Sequence, residues 1–268
     1  MQLVFMGSGD EYGVPRVGCD CEVCRNALSP DSRNNRSGPS VAVTYGPTHA
    51  RRVVLVDAAA EFRLQATRLG LGRFAALLLT HAHDAHVLGL SPLIHAQREM
   101  GRRLEVYAPA EVLAGVREQF GTFWTDKSYR RVMQPRAIED EADLWGLRVV
   151  PLRVDHGRRG TAYGYTLAYD SLRVAYVPDM LRATAGVRRE LAGLDLLVLG
   201  TSHYYEGIEL WKRSVMDVTA ALDLIREVAP ALAVLTHLSH TVDYDEVSAG
   251  LPAGVRLAYD GLLVEVQK

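Results

Sequence analysis

Three histidines fall within six residues in the stretch Leu77-Leu78-Leu79-Thr80-His81-Ala82-His83-Asp84-Ala85-His86. Neutral imidazole is the commonest metal ligand, and this spacing lets several rings converge. In an extended chain His81 and His83 share a face, because side chains alternate with period two. If a helix starts near Asp84, His83 and His86 stand one turn apart and meet again. The competing reading is a histidine-rich loop that holds no cation. A second cluster gathers every cysteine of the chain in Gly18-Cys19-Asp20-Cys21-Glu22-Val23-Cys24, a C-x-C-x-x-C knuckle. A structural zinc takes four ligands in tetrahedral array, so the knuckle alone is one short. A redox pair is its alternative.

The elements that must carry these groups are short apolar strands ending in polar residues. Arg52–Asp57, Ala75–Leu79, Leu147–Val154, Leu172–Val177, Asp195–Leu199 and Ala231–Leu235 read as strands. At or just past their ends stand Asp57, His81, His156, Asp179, His203 and His237. If those tips meet along one sheet edge, the side chains fall into one pocket, and cations bridged by a carboxylate would satisfy them. Leu3–Phe5, Val41–Tyr45 and Leu104–Ala108 complete the first half. Ala162–Tyr169 and Leu172–Val177 read as a hairpin across Asp170-Ser171, and Val255–Tyr259 with Leu262–Val266 as another across Asp260-Gly261. Helices are expected over Glu61–Leu69, Val87–Met100, Glu111–Phe120, Asp126–Met133 and Ser214–Val228. His49 in a turn and His95 on a helix read as surface or packing residues.

The chain's 268 residues suffice for a large core without disulfides, and no linker or repeat divides them, so one domain over 1–268 is expected. A formal charge of −2 provides no basic field for bulk nucleic-acid binding or a membrane surface. The first residues read as a strand, not a signal peptide, and no apolar run reaches about 18 residues. A cytoplasmic protein is therefore expected, and in that reducing setting clustered cysteines point to metal before disulfide.

Nearly end to end, the chain resembles the metallo-β-lactamase superfamily, and within it the branch typified by phosphoribosyl 1,2-cyclic phosphate phosphodiesterase. The likeness runs through Gly13-Val14-Pro15, the cysteine knuckle, Val56-Asp57, Leu79-Thr80-His81-x-His83 and Val87-x-Gly89-Leu90. It continues through His156, Asp179, Ser202-His203, Leu235-Thr236-His237-x-Ser239-His240 and Asp260-Gly261. The resemblance implies an α/β protein, a four-layer αββα sandwich with metals at one sheet edge. It places His81, His83 and His156 on a first metal, His86 and His237 on a second, and Asp179 between them as a catalytic bridge. It also supplies the fourth ligand of the Cys19, Cys21, Cys24 knuckle as His240. The implied cofactors are two divalent cations, zinc or manganese with iron also accepted by such ligands, and one structural zinc. Look-alikes commonly form homodimers, which leaves that assembly open to this chain.

The chain departs from that branch in two places. The motif His-x-His-x-Asp-His has its carboxylate where this chain has Ala85, and Asp84 stands one place earlier. One residue near a helix start turns a side chain by about 100°, so Asp84 is either a ligand through a backbone change or a helix cap. If only a cap, the second metal is weakened or absent. The branch's proton-donating histidine falls on Val215 by an ungapped count back from His237, which leaves His203 as the candidate acid.

Hydrolysis of a small phosphodiester, cyclic ones included, is the function that the resemblance implies. A cation lowers the pKa of bound water from about 16 to about 7 and offsets charge on phosphoryl oxygens. Asp57 would orient a ligand histidine through its other nitrogen, or else cap a turn. Alternatives are a hydrolase of a lactone or thioester, and a non-catalytic metal-binding carrier or assembly factor in cofactor biosynthesis. The expected partner is a small molecule, chosen by loops such as Tyr204–Gly207 and Phe120–Arg131.

Overall fold

The computed structural model describes residues 1–267. Its first sheet takes β1 (Gln2–Gly7), β2 (Ser40–Tyr45), β3 (Arg52–Val56), β4 (Ala76–Leu78), β5 (Leu104–Ala108) and β6 (Met133–Ala137). The second takes β7 (Ala142–Leu144), β8 (Leu147–Asp155), β9 (Thr161–Tyr169), β10 (Leu172–Val177), β11 (Leu196–Gly200), β12 (Ala233–Thr236) and β13 (Val255–Leu257). β14 (Leu263–Glu265) returns to the first, giving two seven-stranded sheets ordered β14-β1-β2-β3-β4-β5-β6 and β13-β12-β11-β10-β9-β8-β7.

Alternation builds the layers. Val174 and Tyr176 point between the sheets, against Val54, Val56 and Leu78 in one buried cluster. Their neighbours Ala175 and Val177 point outward and pack with Val187, Leu191, Ala221 and Leu224 of the helices Ala185–Leu191 and Val218–Val228. On the far face of the first sheet, Leu55 and Leu77 pack with Phe62, Leu93 and Ile94. The result is the expected four-layer αββα sandwich. Among the described residues, no helix is long and apolar enough to cross a membrane.

Parallel pairing brings the tips together. β3, β4, β5 and β6 run parallel, as do β10, β11, β12 and β13. β8 and β10 are each antiparallel to β9, so they share a direction. The carboxyl ends of β3, β4, β8, β10, β11 and β12 therefore open at one edge, which is where such folds place binding sites.

Several expectations on the elements are corrected. The helix read as Val87–Met100 is two pieces, Asp84–Val87 and Leu90–Glu99. Ala58 N–H donates to His86 O at 2.8 Å and Gly89 N–H donates to Ala58 O at 2.9 Å, so tertiary bonds take groups that a continuous helix would use. A Cβ at Gly89 would meet Ala59 O at 2.3 Å, and only glycine permits that approach. Asp126–Met133 shrinks to a helix at Lys127–Arg130, and Met133 opens the unexpected strand β6. β6 is an edge strand, mostly exposed and interrupted by Pro135, which hides its period-two signal. The helix read from Ser214 starts at Val218, where Asp217 caps the Ala220 N–H.

The reading of Val255–Tyr259 and Leu262–Val266 as one hairpin also fails. β13 pairs with β12 in the second sheet, whereas β14 pairs with β1 in the first. Asp260-Gly261 is thus a crossing between sheets, and the Asp260 carboxylate has a different use. It accepts from Ser8 N and Oγ, both at 2.8 Å, from Ser37 N at 2.9 Å and Oγ at 2.6 Å, and from Arg68 at 3.2 Å. Asp260→Ala leaves those donors unmatched and is expected to cost about 3–5 kcal/mol, read as a lower urea midpoint. An unchanged midpoint would show that water replaces the carboxylate without loss.

Candidate metal centre

Strand ends and turns at the open edge converge on two groups of side chains. His81, His83 and His156 each offer a ligand atom within 4.8 Å of the others, and so do His81, His86 and Asp179. The ring centroids of His81 lie 4.4 Å from His83 and 4.1 Å from His86. His237 approaches through Asp179, its Nε2 3.5 Å from Oδ1, while its ring stacks 6.0 Å from that of His86. Asp179 stands between histidines, with Oδ1 3.6 Å from His156 Nε2 and Oδ2 3.1 Å from His86 Nε2. Both His156 Nε2 and Asp179 Oδ2 are buried with no hydrogen-bond partner, the latter because its contact with His86 is poorly aligned. Orphaned buried acceptors are costly, and a cation is what this donor set suits.

Neighbouring groups orient the rings. A carboxylate only accepts, so His86 Nδ1–H donates to Asp57 Oδ2 at 2.7 Å and Nε2 faces Asp179. The Thr80 hydroxyl donates to Asp57 Oδ2 at 2.8 Å, which leaves its oxygen to accept from His81 Nδ1 at 3.0 Å. His156 Nδ1–H donates to Ser214 O at 2.8 Å. In each case Nε2 remains available, the arrangement typical of metal-ligating histidine. Asp57 and His237 hold left-handed backbones, φ 59° and 61°, a strain that non-glycine residues accept only where surroundings enforce it. Asp57 is wholly buried and also takes the Thr80 N–H at 2.9 Å.

Electrostatics favour lone-pair donors. Burial, with His86 next, holds His81 well below the usual imidazole range, and burial with His156 lowers His83 to about 4. Burial also lowers His156, against the pull of Asp179. These rings are neutral near pH 7, the form that ligates. His86 differs: burial would lower it, but Asp57 and Asp179 raise it to about 10. Burial opposes ionisation of Asp179, yet His237 and His86 hold its carboxyl well below the usual range. A cation at the second group would compete with the proton that Asp57 and Asp179 favour on His86. We expect Asp57→Asn, which turns an acceptor into an amide beside that ring, to weaken cation binding about 10–100-fold. Calorimetric titration would show it, and unchanged affinity would leave Asp57 only a structural part.

The cysteine cluster forms another group with His240. His240 Nδ1 lies 3.3, 3.5 and 3.7 Å from the sulfurs of Cys19, Cys21 and Cys24. Zn–S and Zn–N bonds at a tetrahedral angle imply an S···N edge of about 3.5 Å, which these distances bracket. The Cys24 N–H, together with His240, lowers the Cys21 thiol to about 6 despite burial, whereas burial raises Cys24 to about 11. The knuckle residues thus fit a zinc ion.

Asp84 calls for a correction. It is exposed on the first turn of Asp84–Val87, outside both histidine groups, and the cap position belongs to His83, which makes no side-chain cap bond. Ala85 instead faces a cavity of about 360 Å³ above the cluster. His203 and Val215 line the same cavity, with His203 Nδ1 2.8 Å from Thr241 Oγ1. His95 packs on Tyr129 and His49 is exposed. Of the two loops named for substrate choice, Tyr204–Gly207 contributes Glu206, whereas residues 120–131 do not line this cavity. Sequence reading missed the cavity's Arg16, Arg158, Arg159, Lys212 and Arg213, since arginines in irregular loops carry no pattern. Most are braced: Arg159 by Glu11, Arg213 by Asp217 at 3.0 Å, Arg16 by Asp10 at 2.8 Å. Among the described residues Arg158 has no acidic partner.

Comparisons with known proteins agree with this geometry. A family model described as the beta-lactamase superfamily domain matches residues 52–238. The chain is 32% identical to an octanoyltransferase of Porphyromonas gingivalis over 98% of its own length, but it spans only 51% of that relative. It is 26% identical to coenzyme PQQ synthesis protein B of Methylobacterium sp., covering 98% of this chain and 99% of the relative. Among solved structures, a diphosphatase from the PhnP family superposes with TM-score 0.85 at 28% identity, covering 99% of this chain and 98% of that one. Zinc-bound PqqB from Methylobacterium extorquens gives 0.82 at 22% identity over 99% and 100%, a likeness of fold. Two seven-stranded sheets, histidines at their shared edge and a family match over most of the length give one answer: the chain belongs to the metallo-β-lactamase superfamily.

Proposed function

We propose that this protein is a metal-dependent hydrolase of a small phosphodiester, cyclic ones included. The carrying observation is a buried histidine–aspartate cluster opening into a cavity of about 360 Å³ that Arg16, Arg158, Arg159, Lys212 and Arg213 surround. Divalent cations bound there would acidify water and stabilise charge on a phosphoryl group. The chain's own side chains do the rest. Arg158, exposed and without an acidic partner among the described residues, offers its guanidinium to a phosphate oxygen. Arg159 and Arg213 are held by carboxylates, so little ordering is left when an anion arrives. His203, tied through Nδ1 to Thr241, presents its other nitrogen as the group to protonate a departing alkoxide. A second depression of about 290 Å³ borders His81 and His83 and carries Glu111, Gln119 and Tyr163, polar neighbours suited to the alcohol arm of a diester. Likeness to a diphosphatase of the PhnP family supports phosphoryl chemistry.

A panel of aryl and cyclic phosphodiesters, diphosphate esters, lactones and thioesters, run on metal-loaded protein, tests the reading. Turnover of phosphodiesters above the other esters is expected. Turnover confined to lactones or thioesters overturns it. A second reading, a metal-binding factor in cofactor biosynthesis, draws on the similarity to PQQ synthesis protein B over nearly the full length. Bound cations with no turnover anywhere on the panel would favour that reading instead.

A further inference from the structure

The cluster is short of negative charge. Two divalent cations would bring four positive charges to five imidazoles and one carboxylate, Asp179. Asp57 supplies a further negative charge behind His86, but its oxygens are already engaged by His86 and Thr80. No acid on the cavity wall is free to move in. Asp10 is tied to Arg16 at 2.8 Å, Glu11 to Arg159, and Glu206 to Arg213 at 3.9 Å. The side chain between His83 and His86 that faces the cavity is Ala85, and the neighbouring carboxylate, Asp84, is exposed to solvent. Two cations close together in a buried site repel strongly, and negative charge between them is what offsets that repulsion.

We infer that this chain takes up its second active-site cation together with a phosphate anion, which supplies the charge that Ala85 withholds. The inference rests on the reading above, that a phosphate meets the cations in this cavity. A phosphate dianion carries the two charges the cluster lacks, and Arg158 with its braced neighbours draws it to the spot. Linkage makes the effect reciprocal: whatever factor phosphate adds to cation affinity, the cation adds to phosphate affinity. The chain thereby discriminates between substrates by charge. A phosphodiester, a monoanion, would supply part of that charge and inorganic phosphate as the dianion all of it, so both would stabilise the loaded site more than neutral esters.

Two calorimetric titrations test this on the whole protein, with elemental analysis after equilibrium dialysis. Inorganic phosphate is the probe, and chloride at equal ionic strength is the control. Without phosphate, two cations per chain are expected, one in the knuckle and one among His81, His83, His156 and Asp179. With phosphate a third should appear, its affinity raised at least about tenfold, and phosphate affinity should rise by the same factor when that cation is added. Ala85→Asp is expected to hold three cations without phosphate and to lose the coupling. Should that variant not fold, the wild-type titrations decide alone. Three equally tight cations without phosphate, a third that phosphate does not promote, or only a knuckle cation would each overturn the inference. Coupling without turnover on the ester panel would uphold it while removing the hydrolase reading.

Discussion

Replacing His81 with alanine is expected to remove cation binding from the cluster and, for the hydrolase proposed above, to lower turnover by about three orders of magnitude. His81 belongs to both ligand groups and stands beside Asp179, the carboxylate that reaches His86, His156 and His237. Cation stabilisation of a phosphoryl transition state is worth several kcal/mol, and about 4 kcal/mol corresponds to three decades in rate. The side chain is buried, but it is held by one bond to Thr80 and stands among the rings of His83, His86 and His156, so the fold should persist. Elemental analysis should show a single cation left, in the knuckle, with an unchanged far-ultraviolet spectrum. Full cation content with full activity would mean that the histidines converge for another reason.

Cys24→Ala is expected to lower the melting temperature by about 6–12 °C, though it lies outside the cavity. Cys24 is 1% exposed, packs with Val14 and Ala27, and completes a ligand set that spans more than 200 residues of chain to His240. Structural zinc contributes folding free energy, and losing about 3 kcal/mol shifts the transition of a domain this size by about 2–4 °C per kcal/mol. The same loss should reach the active site. His237 and His240 share one loop, held meanwhile by Leu238 N–H to Ser8 O at 2.9 Å and Ser239 N–H to Ser202 O at 2.9 Å. The buried Arg36 also grips this loop through Ser239 O and Val242 O. Calorimetry with and without chelator measures the effect. A chelator that lowers the wild-type transition by clearly more than it lowers that of Cys24→Ala supports the assignment, and equal lowering of both proteins refutes it.

Strand ends were legible because two signals coincided there. An apolar run such as Leu77-Leu78-Leu79 announces a buried strand, and the histidine that follows announces chemistry, so Asp57, His81, His156, Asp179 and His237 could be placed at tips without any structure. That the tips share one edge follows from parallel pairing, which period-two patterns do not reveal. The break at Gly89 depended on Ala58, some thirty residues away, and β6 was masked by its exposure at the sheet edge. Asp260-Gly261 carried a strong local hairpin signal, yet its strands belong to different sheets. Local turn chemistry was read correctly as a reversal but could not say which partners lay on either side. The cavity's arginines were invisible because they come from separate irregular segments and acquire meaning only when those segments meet. The sequence allows Asp84 to be a ligand or a cap, and packing leaves it neither, exposed at the start of a single helical turn.

Anomalous diffraction at the zinc absorption edge, from crystals of zinc-loaded protein, tests most directly whether cations hold this cluster together. A peak enclosed by Cys19, Cys21, Cys24 and His240, and another among His81, His83 and His156 on the side facing Asp179, is the predicted result. A knuckle peak with none at the histidines, in protein saturated with zinc, would contradict the account.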